Sequence, residues 1–495
     1  MKLVSVEQKY KDGLINLALD TLDKKKQALV FVNSKKSAEK EAEEISKKIN
    51  LDTEELNKLS NQVLSVLSKA TDQCNRLSDC VKKGIAFHHA GLASEQKRLV
   101  EDAFRQGKIK IICATPTLAA GLDIPAWRVI IRDVKRYVSK YGMKYIPVLE
   151  FLQMAGRAGR PKYDKDGEAI VIVQTENEKQ TIKEKFIYGD PEAIYSKLAV
   201  EPVLRTFLLS LISAKIVRSR KEIVEFFSKT FWAYQYKDLD LLEQIIEKML
   251  TLLIKWDLIQ LVDDYYRATI LGKRISELYL DPLTAHELVI GLKRAKEIKL
   301  NDFAILHLIT NTLEMRPYLS VKTKEFDQIQ EKSALMDGYL LKHEPSMFDS
   351  EYDEWLSGFK TTSMFNDWID EKDEQYLLEE YNIRPGELRV KLETADWLLY
   401  SLTEIARIEQ LQDLIKEINK TRFRLKYGVK EELLTLLRLE GIGRVRARKL
   451  YRAGVKDLGA IKKSKIEDLE KLLGKQLALS IKKQVGIEDE KNNNK

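Results

Sequence analysis

Gln153, Gly156, Arg157, Gly159 and Arg160 are the residues of this chain whose types and spacing best suit chemistry on a phosphate. They sit in the octapeptide Gln153-Met154-Ala155-Gly156-Arg157-Ala158-Gly159-Arg160. Arg157 and Arg160 are three residues apart, so on a helix they would share a face. A guanidinium is planar and offers several donors, which suits a grip on a phosphate that carries developing charge. The two glycines let neighbouring backbone come close. By itself the octapeptide also fits a basic helix start on a solvated surface, so its surroundings must decide.

Two other stretches have chemistry for nucleic acid. From Arg132 to Tyr145, Arg132, Lys135, Arg136, Lys140 and Lys144 interleave with Tyr137, Tyr141 and Tyr145. Gly142 supplies a hairpin turn, and the alternation suits base stacking combined with phosphate contact. A plain basic surface hairpin is the alternative. Near the C-terminus, Leu437 to Leu450 carries a helix-hairpin-helix signature. Gly441 and Gly443 let turn amides point at a phosphate at a helix N-terminus, Arg444, Arg446, Arg448 and Lys449 add charge, and Ala447 and Leu450 pack the helices. Leu472-Leu473-Gly474-Lys475 hints at a degenerate second hairpin. This pattern predicts DNA-backbone binding without sequence specificity, with a protein-interaction domain of the same shape as the alternative.

Other chemistries find no pattern in the sequence. Gly-x-x-x-x-Gly-Lys-[Ser/Thr] does not occur: Gly272-Lys273-Arg274 lacks the preceding glycine and the hydroxyl. Asp353-Glu354 and Asp373-Glu374 lie in polar helical surroundings, not after apolar strands as a magnesium box requires. The adjacent His88 and His89 diverge and have no third ligand nearby, so no metal site is expected. Cys74, Cys80 and Cys113 make neither a disulfide framework nor a zinc pattern, which fits a reducing, cytoplasmic location.

The elements that must position these residues follow from the hydrophobic pattern. The 495 residues are 44% hydrophobic and 32% charged, as expected of a globular chain of three or four domains. Net charge is +8, and residues 422–456 alone hold eleven Lys or Arg against three acids. Residues 347–381 hold eleven acids against two lysines, a patch expected to face solvent or protein and not DNA. Apolar runs at Gln27–Val32, Ala86–Phe87, Lys110–Ala114, Val129–Ile131 and Ala169–Val173 read as buried parallel strands. Helices are expected at Glu7–Asp23, with Tyr10, Leu14, Leu17, Ala18 and Leu22 on one side, at Ser37–Ile49, and from Leu92 to about Gln106. Alternating strands and helices imply an α/β doubly wound sheet, which binds ligands at its strand C-termini. Beyond Glu201-Pro202 the alternation stops. Leu204–Ile216, Glu222–Ser228 and Leu241–Trp256 read as helices and Leu258–Thr269 as a β-ribbon, a winged helix or else a helical linker domain. Pro282 to about Arg407 reads as helical, with Pro317 and Pro385 as breaks, and Glu404–Arg424 as a charged helix.

Ala28–Ser34, Phe87–Leu92, Ala114–Pro125 and Gln153–Arg160, in this order, resemble the second RecA-like motor domain of superfamily-two helicases of the Ski-like group. The resemblance is closest to archaeal Hjm-type DNA helicases and runs from about residue 8 to residue 485. It implies that Gln153, Gly156, Arg157, Gly159 and Arg160 are motif VI, with Arg157 and Arg160 as arginine fingers toward the γ-phosphate of ATP. It implies that Thr115 and Thr117 contact the DNA backbone, while Gly121 and Asp123 face the nucleotide. Ser34 and Lys36 would meet DNA phosphates, as would the loop at His89 and Gly91. The hairpin, with Arg136 and Tyr141, would split the duplex. The helix after Pro385 would be a ratchet, with Arg389 on a phosphate and Trp397 stacked on a base, although Trp397 also fits an ordinary core.

The expected organisation is a RecA-like domain at 1–197, a winged helix at 198–281, a helical ratchet domain at 282–407, a helix-hairpin-helix domain at 408–486 and a disordered tail at 487–495. The chain is expected to be the C-terminal portion of an ATP-dependent 3′-to-5′ DNA helicase for forked or branched DNA in fork repair and recombination. ATP and Mg2+ would be held mainly by a first RecA-like domain carrying the phosphate loop, as part of a longer chain or as a separate subunit. By itself the chain is expected not to hydrolyse ATP, and no membrane partner is expected. A non-catalytic module for branched DNA and a Ski-like RNA helicase fragment are the alternatives. The helix-hairpin-helix end argues for DNA.

Overall fold

A computed structural model describes residues 5–49, 51, 53–121, 124–138, 142–159, 164, 166–198, 200–298 and 300–486. The chain divides into two compact units, residues 1–194 with 374–389, and residues 195–373 with 390–495.

The first unit is built on a parallel sheet. Its strands are β1 (Ala28–Phe31), β2 (Ile85–His88), β3 (Ile111–Ala114), β4 (Arg128–Ile131) and β7 (Glu168–Val171), in the order β2-β3-β1-β4-β7. Between β4 and β7 lie β5 (Lys135–Val138) and β6 (Gly142–Tyr145), which form a separate antiparallel hairpin. Strands β1 to β4 are buried along their whole length. That is why they read as unbroken apolar runs, since helices cover both faces of such a sheet. Register brings Phe31, His88, Ala114 and Ile131 level at the C-terminal edge.

One buried charge ties the first helix to this sheet. Arg128 is 1% exposed and donates to Glu168 Oε2 (2.6 Å), Leu17 O (3.0 Å) and Thr21 Oγ1 (2.8 Å). Its Nη2 also lies 2.7 Å from Asp20. A guanidinium this deep is tolerated because its donors find anionic and carbonyl partners.

The first helix is Gly13–Asp23, shorter than the expected Glu7–Asp23. The carboxylate of Asp12 accepts from the Leu14 amide at 2.8 Å and caps the helix there, so Tyr10 lies outside it, 39% exposed, and not on its packed face. Two helices that the sequence reading did not place, Glu54–Ser65 and Asp72–Val81, precede β2 and are capped by Thr53 and Thr71.

The second unit opens with helices Glu201–Ser213, Arg220–Ser228 and Leu239–Lys255, then the hairpin β8 (Ile259–Val262) and β9 (Tyr265–Ala268). Asp263 and Asp264 make its turn with φ of 50° and 62°, the left-handed pair a tight hairpin needs. This is the expected winged helix. The helix Pro385–Ile408 runs on from the first unit into the second. It ends where Gln410 turns left-handed at φ 59°, so the expected continuous helix Glu404–Arg424 is broken and a new one spans Gln412–Tyr427. Four short helices between Arg444 and Gln484 enclose the last core, around Leu433, Leu436, Ala447, Leu450 and Ile481. Among the described residues no helix is long and apolar enough to cross a membrane.

Candidate functional site

The C-terminal edge of the sheet collects most of the predicted residues. Ser34 leaves β1 and caps the helix Lys35–Ser46, its Oγ accepting from the Ser37 amide at 3.1 Å. Ser34 and Lys36 are both exposed at this helix N-terminus, where an anion is favoured. Thr115 and Thr117 follow β3, and their hydroxyls lie 2.9 Å apart on the solvent side. The short helix Thr117–Gly121 ends at Gly121. Asp123, Tyr141 and Arg160 lie outside the described residues.

Arg157 and its neighbours depart from the expected helical face. The helix Val148–Ala155 carries exposed Gln153 in its last turn and ends at Gly156. Beyond it the backbone pairs with Ala126: Ala126 N donates to Arg157 O at 3.0 Å, and Gly159 N to Ala126 O at 2.7 Å. Gly159 takes φ +90°, which a side chain would strain. Arg157 therefore sits in a turn beyond the helix and not on its face. Its Nε (3.1 Å) and Nη2 (2.6 Å) both donate to the Ala119 carbonyl. The guanidinium thus links its own turn to the loop that carries Thr115 and Thr117.

Two predicted DNA contacts are buried. His89 is fully buried, stacked on Phe87 at 5.5 Å, with Nδ1 accepting from the Gly91 amide at 3.1 Å. Its Nε2 lies 3.2 Å from Glu39. Burial holds its pKa below the ordinary histidine value. Gly91 is buried as well, its amide spent on His89 and its carbonyl on the Gly386 amide at 3.0 Å. Neither residue offers a group to a DNA phosphate; both are internal fastenings. His88 is likewise internal, its Nε2 lying 2.8 Å from Glu101.

The hairpin β5–β6 stands out from the sheet with Tyr137 73% and Met143 56% exposed. Arg136 pairs with Glu150 at 2.9 Å, so its charge is partly met within the domain. The base of the hairpin is anchored by Tyr145, which packs on Phe186 at 6.0 Å and lies under Lys135 and Lys185 at 4.6 and 4.9 Å. Phe186 belongs to a π-helical turn, Lys183–Ile187, that no periodicity argument places. Glu192 accepts from the amides of Val148 (2.7 Å) and Leu149 (3.3 Å), joining the segment after that turn to the start of the helix Val148–Ala155.

On the helix Pro385–Ile408, Arg389 is exposed, whereas Trp397 is half-buried and donates its indole N–H to Leu278 O at 3.1 Å. In the last domain, Gly441 is exposed at φ +80°, and Gly443 caps the helix Arg444–Arg452 in extended backbone. Arg446 is exposed and donates to Gly441 O at 2.8 Å. Arg444 lies over the Trp368 ring at 4.8 Å and donates to Lys372 O at 2.7 Å.

Arg448 does not fit the predicted role. Its guanidinium is held by Glu371, with Nε at 2.8 Å, and by Glu432 at 2.6 Å. Burial would raise the carboxyl of Glu371, but the bonds from Arg448 and the Lys430 amide hold it below the ordinary carboxylate range. Arg448 is a structural ion-pair residue, and this part of the acidic stretch faces the basic last domain and not solvent.

The described residues fit a contact to a nucleotide phosphate at most. Arg157 is a cation beside the loop ending at Gly121, but among the described residues no group of three or more His, Cys, Asp or Glu is placed to hold a metal ion.

A parallel sheet with hydroxyl and arginine loops at one edge, followed by a winged helix and helical domains, defines the C-terminal motor half of a superfamily-two helicase. The helicase conserved C-terminal domain model matches residues 47–162, a helix-turn-helix domain model residues 167–260, and the archaeal helicase domain 4 model residues 303–428. Curated relatives named ATP-dependent DNA helicase Hel308 match almost end to end. That of Pyrococcus horikoshii is 40% identical over 95% of this chain and 66% of its own length. That of Methanocella arvoryzae is 40% identical over 96% and 65%, and that of Caldivirga maquilingensis 35% over 94% and 63%. The chain belongs to the Hel308 helicase family, and it spans just under two thirds of the length of these relatives.

Proposed function

We propose that this chain is the C-terminal portion of an ATP-dependent DNA helicase that moves 3′ to 5′ on single strands and opens forked or branched DNA in the cytoplasm. The observation that carries the reading is the joining of two loops at one sheet edge. Arg157, from motif VI, grips the Ala119 carbonyl of the loop whose Thr115 and Thr117 hydroxyls face solvent. ATP hydrolysis supplies the energy, and the nucleotide with its Mg2+ is held mainly by a first RecA-like domain carrying the phosphate loop.

Each residue of this chain then has a task. Arg160 and Arg157 meet the γ-phosphate side, with Gln153, Gly121, Gly156 and Asp123 at the cleft. Because Arg157 holds Ala119, displacement of the guanidinium shifts Thr115 and Thr117 on the DNA backbone. Ser34 and Lys36 bind a second phosphate at a helix N-terminus. Arg136, Tyr137 and Tyr141 on the hairpin part the strands. Arg389 and Trp397 guide the released strand, and Gly441, Gly443, Arg444 and Arg446 hold backbone at the exit.

The test adds the first RecA-like domain in trans and follows opening of a forked duplex. Strand separation that needs ATP and both proteins supports the proposal. Tight, ATP-independent binding of branched DNA with no opening, when the added domain itself binds ATP, would instead assign a non-catalytic binding module.

A further inference from the structure

A buried ion cluster in the first unit lies apart from every residue given a task above. Glu39, on the helix Lys35–Ser46, is 3% exposed and receives Arg384 Nε at 2.9 Å and Arg76 Nη1 at 2.7 Å. His89 Nε2 lies 3.2 Å from the same carboxylate. Burial alone would raise the carboxyl of Glu39, but His89 and Arg384 override it and hold its pKa down at about 2. Arg384 is 7% exposed and stands one residue before the helix Pro385–Ile408.

The same few residues are fastened by backbone and shape. Gly386 N donates to Gly91 O at 3.0 Å. A methyl on Gly386 would meet the carbonyl oxygens of Leu92 and Ala90 at 2.2 and 2.5 Å, and one on Gly91 would meet Arg384 Cδ at 2.2 Å. Glu387 pairs with Lys35, and Gln375 exchanges reciprocal bonds with Asp72 at 2.9 Å. The segment 374–389 accordingly groups with the RecA-like sheet, although nearly two hundred residues of sequence lie between them.

We infer that the Glu39–Arg384 knot, closed by His89 and Gly386, is the fastening through which the RecA-like domain carries the start of the ratchet helix with it. Glu39 and Arg384 are positioning residues in this account. The first turn of the helix belongs to the first unit, and Arg389 stands about 6 Å along it from Pro385 at 1.5 Å per residue. Motion of the sheet is delivered to Arg389 through the first turn of that helix. A loosened knot lets the motor turn over without advancing the strand. Charge pairs this deep hold one geometry because a shifted guanidinium would leave a buried carboxylate unmet.

This inference rests on the helicase reading, and the test separates the two. The chain completed with its first motor domain is assayed for DNA-stimulated ATP hydrolysis and for base pairs opened, as wild type, Glu39→Gln and Arg384→Met. The expected result is hydrolysis within about twofold of wild type and base pairs opened per ATP down by up to about a hundredfold, as for a working group displaced by about 1 Å. A merely structural role would lower hydrolysis, opening and thermal midpoint together and leave their ratio unchanged, and that result overturns the inference. Lys35→Gln with Glu387→Gln loosens the same segment from its half-exposed side. Its ratio is expected to fall in the same direction, so a buried variant that fails to fold leaves the inference open to refutation. A wild-type complex without DNA-stimulated hydrolysis would overturn the helicase reading and the inference with it.

Discussion

Arg446 and Arg448 look equivalent in sequence, two residues apart in one basic helix, yet the structure gives them opposite fates. Arg446→Ala removes an exposed guanidinium that donates to Gly441 O. The expected outcome is an unchanged thermal midpoint, weaker binding to all DNA sequences alike, and a slope of log affinity against log salt smaller by about 1. Arg448→Ala strips two carboxylates, Glu371 and Glu432, of their shared cation. Charge-assisted bonds at this partial burial are each worth about 1.5–3 kcal/mol, and the exposure of Glu432 discounts its share, so the net loss is about 2 kcal/mol. That is about thirtyfold in the equilibrium holding this helix in place. The assay pairs salt-titrated fluorescence anisotropy with denaturant unfolding of the same preparations. If Arg448→Ala shallows the salt slope as Arg446→Ala does and leaves stability untouched, the assignment of Arg448 to an internal ion pair is wrong.

Three further outcomes follow from the geometry. Tyr137→Ala, at an exposed hairpin position, is expected to slow duplex opening about tenfold or more while leaving single-strand affinity within about twofold, because stacking on bases is worth about 1–3 kcal/mol per base; equal loss in both would remove the hairpin from strand separation. Gly428→Ala puts a methyl 2.6 Å from the Trp368 ring at a left-handed backbone position (φ +62°), so unfolding should show a loss of about 2 kcal/mol or more. For Glu39, whose folded pKa of about 2 lies below its ordinary 4.5, the stabilisation is fully present above pH 4.5 and lost as pH falls through 2. The difference in thermal midpoint between wild type and Glu39→Gln should therefore be flat above pH 5 and shrink toward pH 2; a difference that grows on acidification would contradict the ion cluster.

What was legible in the sequence was whatever local chemistry dictates. Strands β1 to β4 announce themselves because each is buried on both faces and can hold only apolar or small residues. The ribbon around Asp263 and Asp264 and the glycine turn at Gly441 and Gly443 are likewise local. What stayed hidden depends on partners far along the chain. Arg157 looked like one of a helical pair because nothing nearby shows that Ala126 draws the backbone into a bridge. Arg448 looked like a phosphate ligand because Glu371 lies 77 residues away. His89 and Gly91 looked like a loop for DNA, yet His89 is stacked on Phe87 beside Glu39, and the Gly91 carbonyl accepts from Gly386. Arg384 carries no local signal at all, since its partner is 345 residues distant. Two facing charge stretches, basic at 422–456 and acidic at 347–381, were the one available hint that part of the acidic segment docks within the molecule.

Under the proposed function this chain supplies the arginine side of an ATP site, and a first RecA-like domain supplies the phosphate-holding side. Steady-state ATP hydrolysis in the presence of single-stranded DNA tests it most directly, measured for the chain alone, for the first motor domain alone and for the two mixed. Hydrolysis is expected above background only in the mixture, abolished by Arg160→Ala with DNA binding nearly intact. Hydrolysis by the chain alone, or a mixture indifferent to Arg160→Ala, would contradict it.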